Sequence, residues 1–404
     1  MKLMTNRVRA YAWGSRTAIA ELLGEPVPSV HPQAELWIGA HPGDPSVIDS
    51  DNGPISLVEH ISADSATALG GVAAEFGDRL PFLLKVLAAA EPLSLQAHPS
   101  ATQAKSGFAQ EEAAGVEINS PMRNYKDASH KPELICALTE FHALCGFRDP
   151  ATSVRLLQEL ASPEFDRYLT LLAGQPDEQG TRALFSSIIT MPPAALMPVL
   201  DSVLAACVER VRAGSEYSVE YRTALELGER YPGDPGVLAS LLMNRVTLQP
   251  GQALYLGAGN LHAYLSGTGI EIMANSDNVL RGGLTPKHVD VPELMRVLDF
   301  AVGDVPVIDP VPAGPGRWCY PTPAAEFELC RLEPTTAGPD AAIPLDHPGP
   351  RVLLVVQGTA TLTDPGGDTL QVPRGRSAWI GAAESGVSVS GECLAFLATD
   401  GLTN

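Results

Sequence analysis

The spacing of apolar residues changes character twice along the chain, and this constrains the architecture more than any single motif does. From Pro150 to Gly236 the runs VRLLQELA, FDRYLTLLAG, TRALFSSIITM and AALMPVLDSVLAACVERVRAG place apolar residues three and four apart, as one face of a helix requires, and they break near Gly174 and Gly214. On either side the apolar runs are short and are interrupted by many of the 37 glycines and 35 prolines among 404 residues, a punctuation that suits short strands. The predicted layout is mainly β with an α insertion. Residues 150–236 form an all-helical domain inserted into a β domain built from 1–149 and 237–300, and residues 301–404 form a second β domain.

Local signals fill in this outline. Ser15 is placed to cap a helix that ends at Gly24, and Ser56-Leu57-Val58-Glu59 has the form of a capping box. Glu35 to Gly39 reads as extended, whereas Leu80 to Ala90 fits a buried strand or a buried helix equally well. Pro292 can open a helix at its first turn. The segment 351–399 alternates strand and turn like a small barrel, and it contains a partial echo of an earlier stretch. Gly251 to Ala258 and Gly375 to Ala382 share the frame G-x-x-x-aromatic-aliphatic-G-A, each preceded by a Leu-Gln pair, with His262 aligned against Gly386.

With 27 basic against 47 acidic side chains, the net charge of −20 opposes nucleic acid and anionic membranes as partners. An anionic substrate would have to be caught by a local cluster of cations. No apolar run reaches the length of a membrane span, and the opening residues MKLMTNRVRAYAWGS lack the apolar core of a signal peptide. The six cysteines are scattered and form no C-x-x-C pair, so we expect reduced thiols and a cytoplasmic protein.

Three segments concentrate side chains able to carry chemistry. In LSLQAHPS, Gln96 and His98 are two apart and share a strand face. In YKDASHKPELICAL, Lys131 and Glu133 share a face in the same way, and a carboxylate opening an apolar run needs a cationic partner. In residues 257–287, His262 and Tyr264 lie on one strand, Gly267 and Gly269 mark a turn, and Glu271 and Met273 lie on the returning strand, so that a hairpin mouth is expected. Together Gln96, His98, Glu133 and His262 offer an amide oxygen, two imidazoles and a carboxylate to one zinc ion at about 2 Å. The gaps between them are no motif in themselves.

These segments resemble type I phosphomannose isomerase, a zinc enzyme with cupin-type barrels. The likeness runs from YAWGS at 11–15 and ELWIGAHP at 35–42 through PFLLKVLAAAEPLSLQAHPS at 81–100 to LTPK at 284–287. One family signature is met by Tyr125, Asp127, His130, Lys131, Pro132 and Glu133, with Ser129 where asparagine is usual. A second is met from His262 to Lys287, with Gly282 where alanine is usual. The resemblance implies two cupin-like jelly-roll barrels beside the helical domain, one Zn2+ held by Gln96, His98, Glu133 and His262, and Arg281 in the active site.

The reaction so implied interconverts mannose 6-phosphate and fructose 6-phosphate through an enediol and feeds GDP-mannose metabolism. Lys131 and Asp277 are the leading candidates for proton transfer, with Arg281 binding phosphate or stabilising the enediolate. Lys85, Lys287, Tyr264, Glu271 and His130 complete the substrate pocket, Lys85 and Lys287 as phosphate-binding cations. The chain is expected to act as a monomer on a phosphorylated hexose. Two His and one carboxylate also describe a non-haem iron oxygenase, and a non-catalytic sugar-binding cupin is a further alternative.

Overall fold

The structure, a computed structural model, describes residues 1–50, 53–338 and 341–402. The described strands gather into a ten-stranded and a twelve-stranded sheet. The smaller runs in the order Met243–Leu248, Phe141–Phe147, His262–Ala274, Phe82–Ala89, Glu35–Gly39, Arg7–Arg9, with Leu95–Ala97, Glu133–Ala137, Ala253–Leu256 and Leu280–Gly283 joined to it. All eight residues of Phe82–Ala89 are buried, which is why periodicity could not separate strand from helix there. Its pairing with Glu35–Gly39 on one side and His262–Ala274 on the other settles it as a strand.

The expected hairpin at Gly267 and Gly269 is replaced by one 13-residue strand, His262–Ala274. Gly267 sits at φ +123°, and a Cβ there would lie 2.7 Å from the Glu140 carbonyl oxygen. The glycine marks a close strand crossing, not a reversal. Between Tyr264 and Ser266 the register against Phe141–Phe147 slips by a residue. Such a bulge exchanges the two faces of a strand. Even-numbered His262 and Tyr264 and odd-numbered Glu271 and Met273 therefore look to one side, while Ala263, Leu265, Ile270 and Ile272 enter apolar cores.

Helices Pro150–Leu160, Pro163–Ala173, Glu178–Ile189, Pro193–Ala213 and Ser218–Arg230 follow one another in the middle of the chain. Asp149 and Asp177 accept backbone N–H groups at two of their starts, and Gly214 at φ +75° ends the longest. Their apolar faces share a core with Leu95, Ala97, Leu261, Ala263 and Leu280. Those residues alternate along their strands with Gln96, His262 and Arg281, so the helical layer backs the elements that carry the candidate ligands. None of the described helices is singly long and apolar enough to cross a membrane.

The larger sheet contains Val311–Gly314, Arg317–Tyr320, Glu328–Leu332, Cys393–Thr399, Arg351–Thr363 and Ser377–Ile380, and continues into Lys2–Thr5, Val47–Ser50 and Gly53–Ser56. The division of the chain at residues 1–149 does not anticipate this last pairing, in which Lys2 stands opposite Trp379. The two G-x-x-x-aromatic copies are equivalent locally. Gly251 and Gly375 both take positive φ, 90° and 79°, ahead of the strands Ala253–Leu256 and Ser377–Ile380. Ser56 and Glu59 form the expected capping box, and Gly24 ends the helix Ala18–Leu23. Thr17 takes the cap position of that helix, while Ser15 Oγ still accepts from the Ala18 N–H at 3.1 Å. The helix Ala101–Ala113, opened by a Ser100–Gln103 box, was not foreseen.

The expectation of free thiols throughout is corrected at Cys319 and Cys330, which form a disulfide. They face each other directly on neighbouring antiparallel strands, a proximity set by pairing register and not by any short cysteine motif. The other four cysteines are free and buried.

Candidate active site

Glu133 opens its strand, His98 follows the end of Leu95–Ala97, and His262 begins the long central strand. Sheet pairing brings the three together. His98 Nε2 lies 3.4 Å from Glu133 Oε1, and His262 Nε2 lies 3.6 Å from Glu133 Oε2. Each imidazole is oriented from behind. His98 Nδ1 donates to the Asn278 carbonyl at 2.7 Å, and His262 Nδ1 donates to the Asn260 carbonyl at 3.0 Å. That tautomer leaves both Nε2 lone pairs pointing inward. His98 Nε2, His262 Nε2 and Glu133 Oε2 are buried without a hydrogen-bond partner among the described residues.

Three buried atoms that can each donate a lone pair, with nothing to receive it, are costly unless a cation joins them. The donor set fits a borderline-soft divalent metal. Burial pushes the His98 pKa down to about 4, so it offers a neutral ring. Burial would raise the Glu133 carboxyl, but Lys131 and the two imidazoles outweigh it and hold the group ionised. Gln96 stands directly opposite both His262 and Arg281 in the sheet and lines the same cavity.

That cavity has a volume of about 680 Å³ and is walled by Tyr11, Trp13 and Trp37 as well as by the charged groups. Lys131 borders it with its ammonium 3.1 Å from Glu133 Oε1. Arg281 and Lys287 border it with no paired carboxylate among the described residues, each cation depressed by its burial and Lys287 also by Arg281. This is the corner suited to an anion.

Lys85 is placed differently from the phosphate-binding role expected of it. Its ammonium is buried between Glu271 at 3.0 Å and Glu35 at 3.3 Å, and Glu35 also accepts from the Trp37 indole at 3.0 Å. Burial alone would lower its pKa, but Glu271, Glu35 and Glu133 reverse that and hold it above the ordinary lysine value. Lys85 is thus committed to the cavity floor. Glu271 shares that floor, and burial keeps its carboxyl pKa above the ordinary value. Tyr264 lines the cavity beside it, with its hydroxyl buried and unpartnered among the described residues.

His130 is the other departure. Its ring pairs with Glu326 on the far side of the extended segment, because neighbouring residues of extended backbone face opposite ways. It does not line the cavity. Asp127 and Asn278 do not reach the cavity either; they tie the two signature segments together. The Asp127 carboxylate accepts from the Ser276 hydroxyl at 2.9 Å and the Asp277 N–H at 2.9 Å, while the Asn278 amide donates to the Ser129 carbonyl at 2.8 Å. Ser129 itself accepts from Arg79 at 2.9 Å. Asp277, so anchored, lines the cavity with its carboxylate 3.3 Å from His41 Nε2. The sequence reading overlooked His41, Trp37 and Glu35 as site residues, although all three lie in the ELWIGAHP stretch.

Residues 1–150 match the family model for the phosphomannose isomerase type I catalytic domain. The chain is 41% identical over 405 residues to mannose-6-phosphate isomerase of Escherichia coli (strain K12), covering 97% of each. It is 33% identical over 403 residues to mannose-6-phosphate isomerase of Homo sapiens, covering 94% of this chain and 92% of the human one. Its fold is similar to a crystal structure of mannose 6-phosphate isomerase in a zinc-bound holo form, with TM-score 0.89, 36% identity and 99% coverage of both chains. A mutant of phosphomannose isomerase from Salmonella typhimurium gives TM-score 0.88 at 37% identity, again covering 99% of both. With these relatives matched along nearly their whole length, and with His98, Glu133 and His262 gathered into one cluster, the chain belongs to the mannose-6-phosphate isomerase family, as a type I phosphomannose isomerase.

Proposed function

We propose that the protein interconverts mannose 6-phosphate and fructose 6-phosphate, using one zinc ion held by His98, Glu133, His262 and Gln96. The observation that carries this reading is that orphaned ligand atoms and cations without carboxylate partners among the described residues are brought together at one cavity, Gln96 standing opposite both His262 and Arg281. A phosphorylated hexose has the matching chemistry, a carbonyl for the metal and a dianion for the cations. Two cupin-type barrels and an all-helical insertion are the domain arrangement we assign to the sheets and helices described above.

Zinc, when bound, supplies a Lewis acid that polarises the sugar's oxygens. The chain's own groups do the rest. Arg281 and Lys287 bind the phosphate, Arg281 with the paired donors that suit it. The aromatic wall excludes water from the sugar's apolar face. Asp277, held ionised below the ordinary carboxylate range by the adjacent His41 ring, takes the C2 proton of the open-chain aldose and returns it to C1, while one hydroxyl proton passes from O2 to O1. Lys131 stabilises negative charge as it develops on oxygen.

An isomerase assay on mannose 6-phosphate before and after chelation tests the reading. Ketose formation that stops with chelator and returns with zinc supports it. Stoichiometric iron with oxygen uptake on sugar addition, or no conversion by zinc-loaded protein, would overturn it.

A further inference from the structure

We propose that His41 is a positioning residue for the isomerisation, fixing the carboxylate of Asp277 so that one oxygen is held and the other is presented to the cavity. The inference rests on the functional reading above and adds a residue outside the metal ligands and the phosphate cations. His41 lies just past the strand Glu35–Gly39 and is 6% exposed. Its ring is fixed on three sides. Nδ1 accepts the Gly43 N–H at 3.0 Å, Nε2 lies 3.3 Å from Asp277 Oδ1, and the ring meets Trp37 edge-on at 4.7 Å. Accepting at Nδ1 leaves the proton on Nε2, where it can only donate toward Asp277. Gly43 permits this approach, since a Cβ there would stand 3.2 Å from His41 Nδ1.

Asp277 needs such a partner. Its side chain is 54% exposed, and its backbone N–H is already held by Asp127, so without His41 the carboxylate would rotate freely about a fixed backbone. The pair also stands where the main cavity meets a smaller neighbour of about 310 Å³, both of which His41 and Asp277 line. Turned the other way, the carboxylate would enter the wrong compartment. The charged groups facing Asp277 are His41 first, then Lys131, Lys85 and Lys126, with Asp127 behind the backbone. Among these His41 alone touches the carboxylate, and losing that contact lets the Asp277 pKa rise.

The test uses zinc-loaded full-length enzyme with His41→Phe, which keeps an aromatic ring beside Trp37, and His41→Gln, which keeps a donor near the Nε2 position. Expected for His41→Phe are unchanged zinc content, kcat lowered about tenfold or more, KM altered less than about twofold, and an acidic limb of the kcat profile moved to higher pH. His41→Gln should recover most of the kcat and return the limb toward wild type. An unmoved limb in His41→Phe, or equal loss in both variants, would overturn the proposal. If His41→Phe does not fold, His41→Leu takes its place, with an acidic limb moved to higher pH supporting the inference and an unmoved limb overturning it. Carbon-13 NMR titration of the Asp277 carboxyl in the same proteins reads the pair without turnover. A wild-type enzyme inactive on mannose 6-phosphate would therefore sink the functional reading while leaving the His41–Asp277 link to be judged by its own titration.

Discussion

Lys85 and Glu271 stand opposite each other on neighbouring antiparallel strands and close a buried ion pair at 3.0 Å, with Glu35 completing the triad at 3.3 Å. Removing the one cation strands two carboxylates in the interior. Lys85→Met should therefore destabilise the fold by about 3–5 kcal/mol, the cost of leaving buried charge uncompensated. Chemical denaturation would check this, and adding Glu271→Gln should recover part of the loss. A Lys85→Met protein as stable as wild type, with affinity for the phosphorylated sugar sharply weakened, would return Lys85 to the phosphate-binding role.

The roles proposed for metal binding and phosphate binding should separate by mutation. His262→Ala removes a buried donor and should abolish zinc binding and turnover together. Arg281→Ala should keep stoichiometric zinc while kcat/KM falls by roughly two orders of magnitude or more, and Arg281→Lys should rescue it poorly because a point charge lacks the paired donors. Metal analysis beside steady-state kinetics distinguishes the two. Near-normal turnover in Arg281→Ala would remove it from the site.

Gly267→Ala tests the strand crossing. The new methyl would meet backbone at 2.7 Å on a residue held at φ +123°. Steric overlap and backbone strain together should cost at least about 2 kcal/mol. Because the neighbouring bulge sets which face carries Glu271, catalysis should fall along with the melting temperature. A fully active, fully stable variant would show that the close approach relaxes freely.

Stability of the metal-free chain should depend on pH through His98. Its folded pKa, pushed down to about 4 by burial, lies below the ordinary 6.5, so the unfolded chain binds more protons between these values. The stabilisation is complete above about pH 6.5 and is lost as pH falls toward 4, amounting to roughly 3 kcal/mol in all. Denaturation of chelated protein at pH 7 and pH 4.5 measures it, and His98→Gln should flatten this part of the slope.

Much of this was readable from sequence where function demanded whole segments. His98, Glu133, His262 and the two signatures stood out through their resemblance to a family, and helical spacing from Pro150 onward marked the run of helices. What escaped were consequences of pairing across distance. Cys319 and Cys330 meet because two strands align, not because their spacing announces it. Gly267 and Gly269 imitate a turn, yet the first sits where one strand passes close over another. Lys85 reads as a free cation until Glu35 and Glu271 are brought to it from either side, and His41 reads as an isolated histidine until Asp277 arrives from beyond a strand two places away. Period and composition report which face a residue takes, but only the register tells what it faces.

The pairing of Lys2–Thr5 with Ser377–Ile380 has a consequence for biosynthesis. At about 5–20 residues per second, a ribosome needs on the order of 20–75 s between releasing the first of these strands and the second. Throughout that interval the earliest-made strand has an unsatisfied edge, open to association with other nascent chains. Expression from slowly translated messages, or of versions cut short before Ser377, should accordingly yield aggregates whose amount falls when chaperones are supplied.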